Sequence, residues 1–264
     1  LETISKDIEM KKIAALALII ASTSVFATST VGGLDSVQNV QNTAKQGFHG
    51  QIGLGAISLP EYMGSDTSET IAVPLINVSY NDTFYFKFNK LGGWFYKSDN
   101  GFRVGALLTR QAGIDKDDTL HYIHDREDTT MVGVNAVYKT GMFSAEVGFL
   151  KGLGDYDETD YGDSSDGGKF YAQAQYTIVA RQEYTLTVSA KVENWDEDLV
   201  NYYYNNKNAT TNATVSLIGT YKLTDKWTIL GAVSGTSLGD EIADSGMVED
   251  DTYNGILLGA TYSF

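Results

Sequence analysis

The sequence predicts an all-β fold, a transmembrane antiparallel β-barrel of about twelve strands. Three observations predict it: apolar residues alternate with period two from Phe48 onward, connections alternate between short turns and long acidic loops, and the last strand reads Gly259-x-x-Tyr262-x-Phe264. In an extended strand successive side chains point to opposite faces, so this alternation makes one face for lipid and one for water.

Composition supports insertion by strands. The 264 residues include 27 Gly, 17 Tyr, 2 Pro and no Cys. A mean hydropathy of -0.18 is too polar for a bundle of membrane helices. The net charge of -15 repels phosphate backbones and excludes nucleic acid as a partner class. Without cysteine there is no disulfide, thiolate metal site or Cys nucleophile.

At the start, Met10-Lys11-Lys12 precedes an apolar run from Ile13 to Ala21 and then small residues up to Ala27. That order of basic start, short apolar core and small residue predicts a cleavable signal peptide, with residues 1–9 as an upstream extension. The run is too short to span a bilayer as a helix. Removing residues 1–27 takes away three bases (Lys6, Lys11, Lys12) and three acids (Glu2, Asp7, Glu9), so the charge stays at -15. Residues 28–46 are polar, lack a sustained apolar face and read as a flexible periplasmic leader; the barrel is expected over 47–264.

Within it the expected strands are 47–58, 70–80, 83–89, 91–98, 102–113, 129–139, 143–154, 169–180, 184–196, 212–224, 227–238 and 252–264. The clearest sends Tyr184, Leu186, Val188, Ala190 and Val192 one way and Thr185, Thr187, Ser189, Lys191 and Glu193 the other. A soluble sandwich strand alternates too, so length and loops decide. Segments of about 9–13 residues match the reach of a tilted strand across a bilayer. Short turns fall at Asn81-Asp82, 97–101, Thr140-Gly141, 181–183 and Asp225-Lys226, and long acidic loops near 114–128, 155–168, 197–211 and 239–251. Short turns on one side and long loops on the other mark an outer-membrane barrel. Both ends on the periplasmic side require an even strand number. Phe84 to Lys97 is split at Asn89-Lys90, since one unbroken strand there would place the 97–101 turn outside; ten strands is the alternative count. Tyr138, Tyr184, Trp227, Tyr262 and Phe264 sit where an interfacial aromatic girdle is needed.

The last strand, with Gly259, Tyr262 and Phe264, resembles the sorting signal read by the barrel-assembly machinery, and departs from it at Leu257, where a polar residue is usual. Near the start of the barrel, Leu59-Pro60-Glu61-Tyr62-Met63-Gly64-Ser65-Asp66 leads into a strand containing Pro74, then into the aromatic run Phe84-Tyr85-Phe86. Gly64 suits a tight turn, Ser65 and Asp66 suit backbone hydrogen bonds there, and Pro74 predicts a bulge or kink. These segments, together with Leu238-Gly239-Asp240 and Ala243-Asp244-Ser245 before the last strand, resemble the MipA/OmpV family over the whole mature chain. The resemblance implies an outer-membrane barrel of a Gram-negative cell. The family's namesake is described as a scaffold joining a lytic murein transglycosylase to a bifunctional penicillin-binding protein.

Other motifs are weaker. His121-x-x-His124-Asp125 and the acids Asp155, Asp157, Glu158 and Asp160 lie in long polar loops; the latter lack the Gly and closing Glu of an EF-hand, so no metal site is assigned. No Ser is placed beside His49, His121 or His124, so no catalytic residue and no cofactor is assigned. Lys87, Arg103, Asn135, Glu146, Gln173, Gln175, Lys191 and Glu193 fall on the inward face and predict a hydrated or charge-paired lumen. The expected role is a non-enzymatic scaffold, with a narrow porin for small solutes or a surface adhesin, acting through the loop Asn201-Tyr202-Tyr203-Tyr204-Asn205, as alternatives. The expected surroundings are outer-membrane lipid, lipopolysaccharide and the barrel-assembly machinery.

Overall fold

A computed structural model describes residues 46–119, 125–155 and 164–264. The expected signal peptide, and the leader apart from Gln46, lie outside the described residues. Twelve antiparallel strands close into one barrel, each pairing with the next in sequence and β1 with β12. They are β1 (Phe48–Pro60), β2 (Ser68–Tyr80), β3 (Phe84–Lys87), β4 (Lys90–Lys97), β5 (Phe102–Gln111), β6 (Thr129–Thr140), β7 (Phe143–Gly152), β8 (Gly168–Ala180), β9 (Tyr184–Trp195), β10 (Thr210–Lys222), β11 (Trp227–Ser237) and β12 (Thr252–Ser263). Among the described residues, two α-helices lie in the long connections, α1 (Glu197–Tyr204) and α2 (Asp240–Ala243). No described helix is long and apolar enough to cross a membrane.

The alternation read from the sequence becomes the barrel wall. On β9, Tyr184, Val188 and Val192 are exposed on the outside, while Thr187, Ser189, Lys191, Glu193 and Trp195 are buried within. The same split puts Leu54, Phe149, Phe170, Val215 and Leu258 on the outer face. An apolar exterior of this extent is far beyond what a soluble monomer exposes and suits a lipid environment. Toward the short-turn end, cross-strand aromatic pairs encircle the wall: Phe102 with Tyr138, Phe143 with Tyr176, Tyr184 with Tyr221, and Trp227 with Tyr262. Trp227 and Tyr262 meet edge to face at 5.4 Å, and Lys226 donates to the Tyr262 hydroxyl at 3.0 Å.

Closure runs through the ladder from Gln51 paired with Ser263 to Ser58 paired with Ile256. Gly259 stands opposite Gly55, and a Cβ there would collide with the Leu75 side chain, which fills the lumen behind the seam. Leu257, the departure from the assembly pattern, is buried among Ile57, Leu59, Val73, Leu75, Ile218 and Leu230. Along this flank the lumen is apolar, which explains an apolar residue where a water-filled barrel would carry a polar one.

The bulge or kink expected at Pro74 is corrected. The β1–β2 register runs unbroken from Phe48 with Tyr80 to Pro60 with Ser68. β3 is short and pairs with β2 only from Asn77 to Tyr80, so the upper part of β2 is paired with β1 alone among the named strands. Phe88 N–H donates to Ile76 O at 2.7 Å across that other flank. Alternate residues of a strand turn their backbone groups the same way, so the Pro74 nitrogen faces the flank where no ladder donor is required. The split between β3 and β4 is a two-residue turn at Phe88-Asn89, one residue earlier than expected, with Phe88 at a positive φ of 53°.

Candidate functional site

The lumen is divided along its axis. At the long-loop end an apolar cluster packs Tyr62, Met63, Leu107, Met131, Trp195, Leu199, Val200, Tyr202, Tyr203, Tyr204, Ile242 and Met247 into a cap. Helix α1 is its centre. Asp196 caps the helix by accepting from Leu199 N at 3.0 Å, and Asn205 ends it in the left-handed conformation. Its tyrosines turn inward: Tyr202, Tyr203 and Tyr204 are 0%, 1% and 4% exposed. Their hydroxyls are satisfied, Tyr203 donating to Thr129 Oγ1 at 2.9 Å and Tyr204 to Met63 O at 2.9 Å. The loop 201–205, through which the surface-adhesin alternative would act, thus turns its three tyrosine rings inward as part of a plug.

The Pro60–Asp66 segment locks this plug to its neighbours. Tyr62 donates to Met247 O at 2.8 Å, and Gly64 O accepts from Glu249 N at 2.7 Å and Asp250 N at 3.1 Å. Gly64 has a φ of 103°, and a Cβ there would come within 2.6 Å of Val248, so glycine is required on both counts. Ser65 Oγ accepts from Thr67 N at 3.1 Å, whereas the Asp66 carboxylate accepts from the Thr67 hydroxyl at 3.1 Å rather than from backbone. Burial, reinforced by the Glu249 and Asp66 carboxylates, pushes the Tyr62 phenol up to about 12. Burial likewise raises Tyr203. Both rings stay neutral at physiological pH, so the cap carries no phenolate.

Beneath the cap, opposite the apolar flank, lies a polar column. Lys169 and Lys191 both pair with Glu193 Oε1, at 3.2 and 3.0 Å, and all three side chains are almost fully buried. Lys169 also donates to Gln111 at 2.8 Å and lies 5.3 Å from the Trp195 ring centre. Lower down, Glu146 accepts from the Tyr171 hydroxyl at 2.6 Å and from Asn135 Nδ2 at 3.0 Å, and Gln173 donates to Ser189 at 3.1 Å.

The column opens into a cavity of about 910 Å³ at the short-turn end. Its walls include Lys87, Lys90, Arg103, Lys139, Glu146, Gln173 and Gln175, and its mouth is framed by Asp82, Asp99, Arg181, Glu183, Asp225 and Lys226. No residue of the cap cluster lines it. Of the inward polar residues read from the sequence, Lys87, Arg103, Asn135, Glu146, Gln173 and Gln175 meet here, while Lys191 and Glu193 lie above in the buried ion pair. Tyr85 and Trp94 form a tilted pair 5.0 Å apart on the wall, with the Lys87 ammonium 5.1 Å from the Tyr85 ring centre and the Arg103 guanidinium 6.0 Å from that of Trp94. Arg103 also pairs with Asp82 at 3.1 Å. Sequence reasoning missed Lys90 and this aromatic pair, because the short β3–β4 hairpin gives too few alternations to set its inward face, and it also passed over Lys139 near the end of β6.

His49 lies in the lining with Nδ1 3.3 Å from Gly47 O. No group of three or more potential metal ligands occurs among the described residues. His121 and His124, with Asp157, Glu158 and Asp160, lie outside the described residues. Gly259 and Tyr262 sit on β12, and the Phe264 backbone exchanges hydrogen bonds with Gly50 at the base of the seam.

Solved structures similar to this chain include the outer-membrane protein OmpT of Vibrio cholerae, 11% identical with a TM-score of 0.40, over 82% of this chain and 96% of that one. The β domain of the Bordetella autotransporter BrkA gives the same identity and score, over 82% of this chain and 99% of that one. Likeness of that size carries no functional argument. The chain is 26% identical over 234 residues to the MltA-interacting protein of Escherichia coli strain K12, covering 80% of this chain and 88% of the relative, and the protein of the same name from Shigella flexneri matches equally. Residues 52–264, which take in almost all of the barrel, match the family described as MltA-interacting protein MipA, and the chain belongs to that family.

Proposed function

We propose that the chain spans the outer membrane of a Gram-negative cell and acts as a non-enzymatic scaffold on which peptidoglycan-remodelling enzymes dock from the periplasm. The observation that carries this reading is the asymmetry of the barrel: a packed cap at the long-loop end, an open charged rim at the short-turn end. Short turns of outer-membrane barrels face the periplasm, where murein enzymes work. The relatives' name, MltA-interacting protein, supports a murein transglycosylase as one partner; the second partner in this reading is a penicillin-binding protein. Lipid and lipopolysaccharide contact the apolar wall and acidic outer loops, and Gly259, Tyr262 and Phe264 serve as the signal for the barrel-assembly machinery.

Position-specific photo-crosslinking tests the docking face. A photoreactive residue at Gln182, in the exposed β8–β9 turn, is expected to capture the transglycosylase, and one at Lys207, in the long α1–β10 connection, is not. Adducts from Lys207 alone, or from neither position when an unrelated barrel gives the same background, would contradict the reading.

A further inference from the structure

We propose that the enzyme docking on the periplasmic rim sends an extended polypeptide segment into the cavity, so that the barrel serves as a socket rather than a flat platform. The segment belongs to the partner whose docking is proposed above, and its place in the barrel rests on that reading. Among the described residues the short-turn side consists of five turns, 81–83, 98–101, 141–142, 181–183 and 223–226. A stable interface draws about 20–30 residues from each partner. Turns of two to four residues fall short of that, and they ring an opening. The cavity supplies the missing surface. Four of the five turns contribute to its lining, through Asp82, Asp99, Gln182 and Asp225 among others, so rim and cavity form one continuous concave surface.

The socket is formed in advance. Each turn offers a carbonyl to a backbone N–H of the strand beyond it at 2.7–3.1 Å, as Met142 O accepts from Thr177 and Glu183 O from Lys222. A rim tied strand to strand keeps the mouth from closing and leaves less order to impose on binding. At its inner end the cavity is blind. Neither the cap residues nor Lys169, Lys191 and Glu193 of the buried column line it.

A volume of about 910 Å³ lies toward the upper end of the range for small-molecule sites, which admits a short stretch of chain and no folded domain. The wall suits a polar stretch with little net charge. Arg103 pairs with Asp82 at 3.1 Å, and Glu146 accepts from Tyr171 and Asn135. These charged groups are engaged within the barrel, and a strongly charged segment would have to disturb them. Asn77, Ser79 and Ser144 stand in the same lining as groups that both donate and accept. A peptide main chain brings one N–H and one C=O per residue, which such a wall can satisfy.

Photo-crosslinking at two depths tests this on the folded full-length barrel in a non-ionic detergent with the purified transglycosylase. One photoreactive residue stands at Gln182 on the rim; the other replaces Val137, which lines the cavity on the fourth rung of the β6–β7 ladder counted from its turn. Both are expected to capture the enzyme, and the Val137 adducts are expected to map to one short segment of it. Deleting that segment is expected to weaken binding about tenfold or more. In the Ser144→Trp variant, which fills the cavity from β7, a loss of similar size is expected, with folding checked by circular dichroism. If that variant does not fold, the deletion alone carries the affinity measurement. Capture at Gln182 without capture at Val137 would overturn the socket and leave docking on the rim standing. Val137 adducts confined to the barrel's own chain, or full affinity after the segment is deleted or the cavity filled, would do the same. Capture at neither position would overturn both readings.

Discussion

Replacing Glu193 with Gln is expected to destabilise the barrel by about 3–5 kcal/mol, because it leaves two ammonium groups facing each other in the lumen without their shared carboxylate. Lys169, Lys191 and Glu193 have side-chain exposures of 6%, 8% and 11%, so water does little to screen the loss. The triad is unequal by construction. Lys169→Met removes one of the two cations, yet Glu193 keeps Lys191 at 3.0 Å, and the net charge of the cluster moves from +1 to 0. Its cost is therefore expected to be clearly smaller than that of Glu193→Gln, in which the cluster moves to +2. Denaturant midpoints in detergent check both variants. Equal costs would mean that shape, not charge, holds this part of the lumen together.

Trp195→Ala is expected to cost about 3–5 kcal/mol, the range for truncating a buried aromatic side chain. The indole joins two parts of the interior: its ring lies 5.9 Å from Tyr203 and 6.4 Å from Tyr204 in the cap, and 5.3 Å from the Lys169 ammonium in the column. Its removal leaves a void at the point where cap and column meet. A functional consequence follows. The cap clusters against the lumen without sharing any residue with the cavity, so the intact barrel is expected to hold no sustained conductance in planar bilayers. Trp195→Ala is expected to show frequent openings under the same conditions, as the plug loosens. A steady open pore in the unaltered protein would place the solute-channel reading ahead of the capped one.

The wall was far more legible than what fills it. Period-two alternation reports which side of a strand meets lipid, and β8, β9 and β10 begin and end within two residues of where it puts them. The short β3–β4 hairpin was recoverable because parity demanded a reversal between Phe84 and Lys97, although its residues alone do not mark one. The cap was not recovered. Helix α1 has only eight residues, and a segment containing Glu197, Asp198, Asn201 and Asn205 reads as polar when averaged. A finer signal was present: Asp196 as N-cap, acids in the first turn, then Leu199, Val200, Tyr203 and Tyr204 at helical spacing. Leu257 shows the same limit, since an inward leucine has meaning only once Ile57, Leu75 and Ile218 are seen to meet it across the lumen. Of the polar side chains of the cavity, Lys87, Arg103, Asn135, Glu146, Gln173 and Gln175 were readable as inward-facing. Their meeting in one cavity was not, because it depends on which of them share one end of the barrel.

The arrangement is tested most directly by the side from which the lumen can be reached. The chain contains no cysteine, so single replacements report without background. Ser144→Cys places a thiol on β7 within the cavity lining, and Lys207→Cys places one on the exposed connection after α1. A barrel capped on its long-loop side and open to the periplasm leaves Ser144→Cys unreactive toward a bulky, membrane-impermeant maleimide in intact cells, where Lys207→Cys is labelled. Permeabilising the outer membrane then exposes both. Labelling of Ser144→Cys in intact cells at the rate of Lys207→Cys, or its failure to react after permeabilisation, would contradict the one-sided cavity.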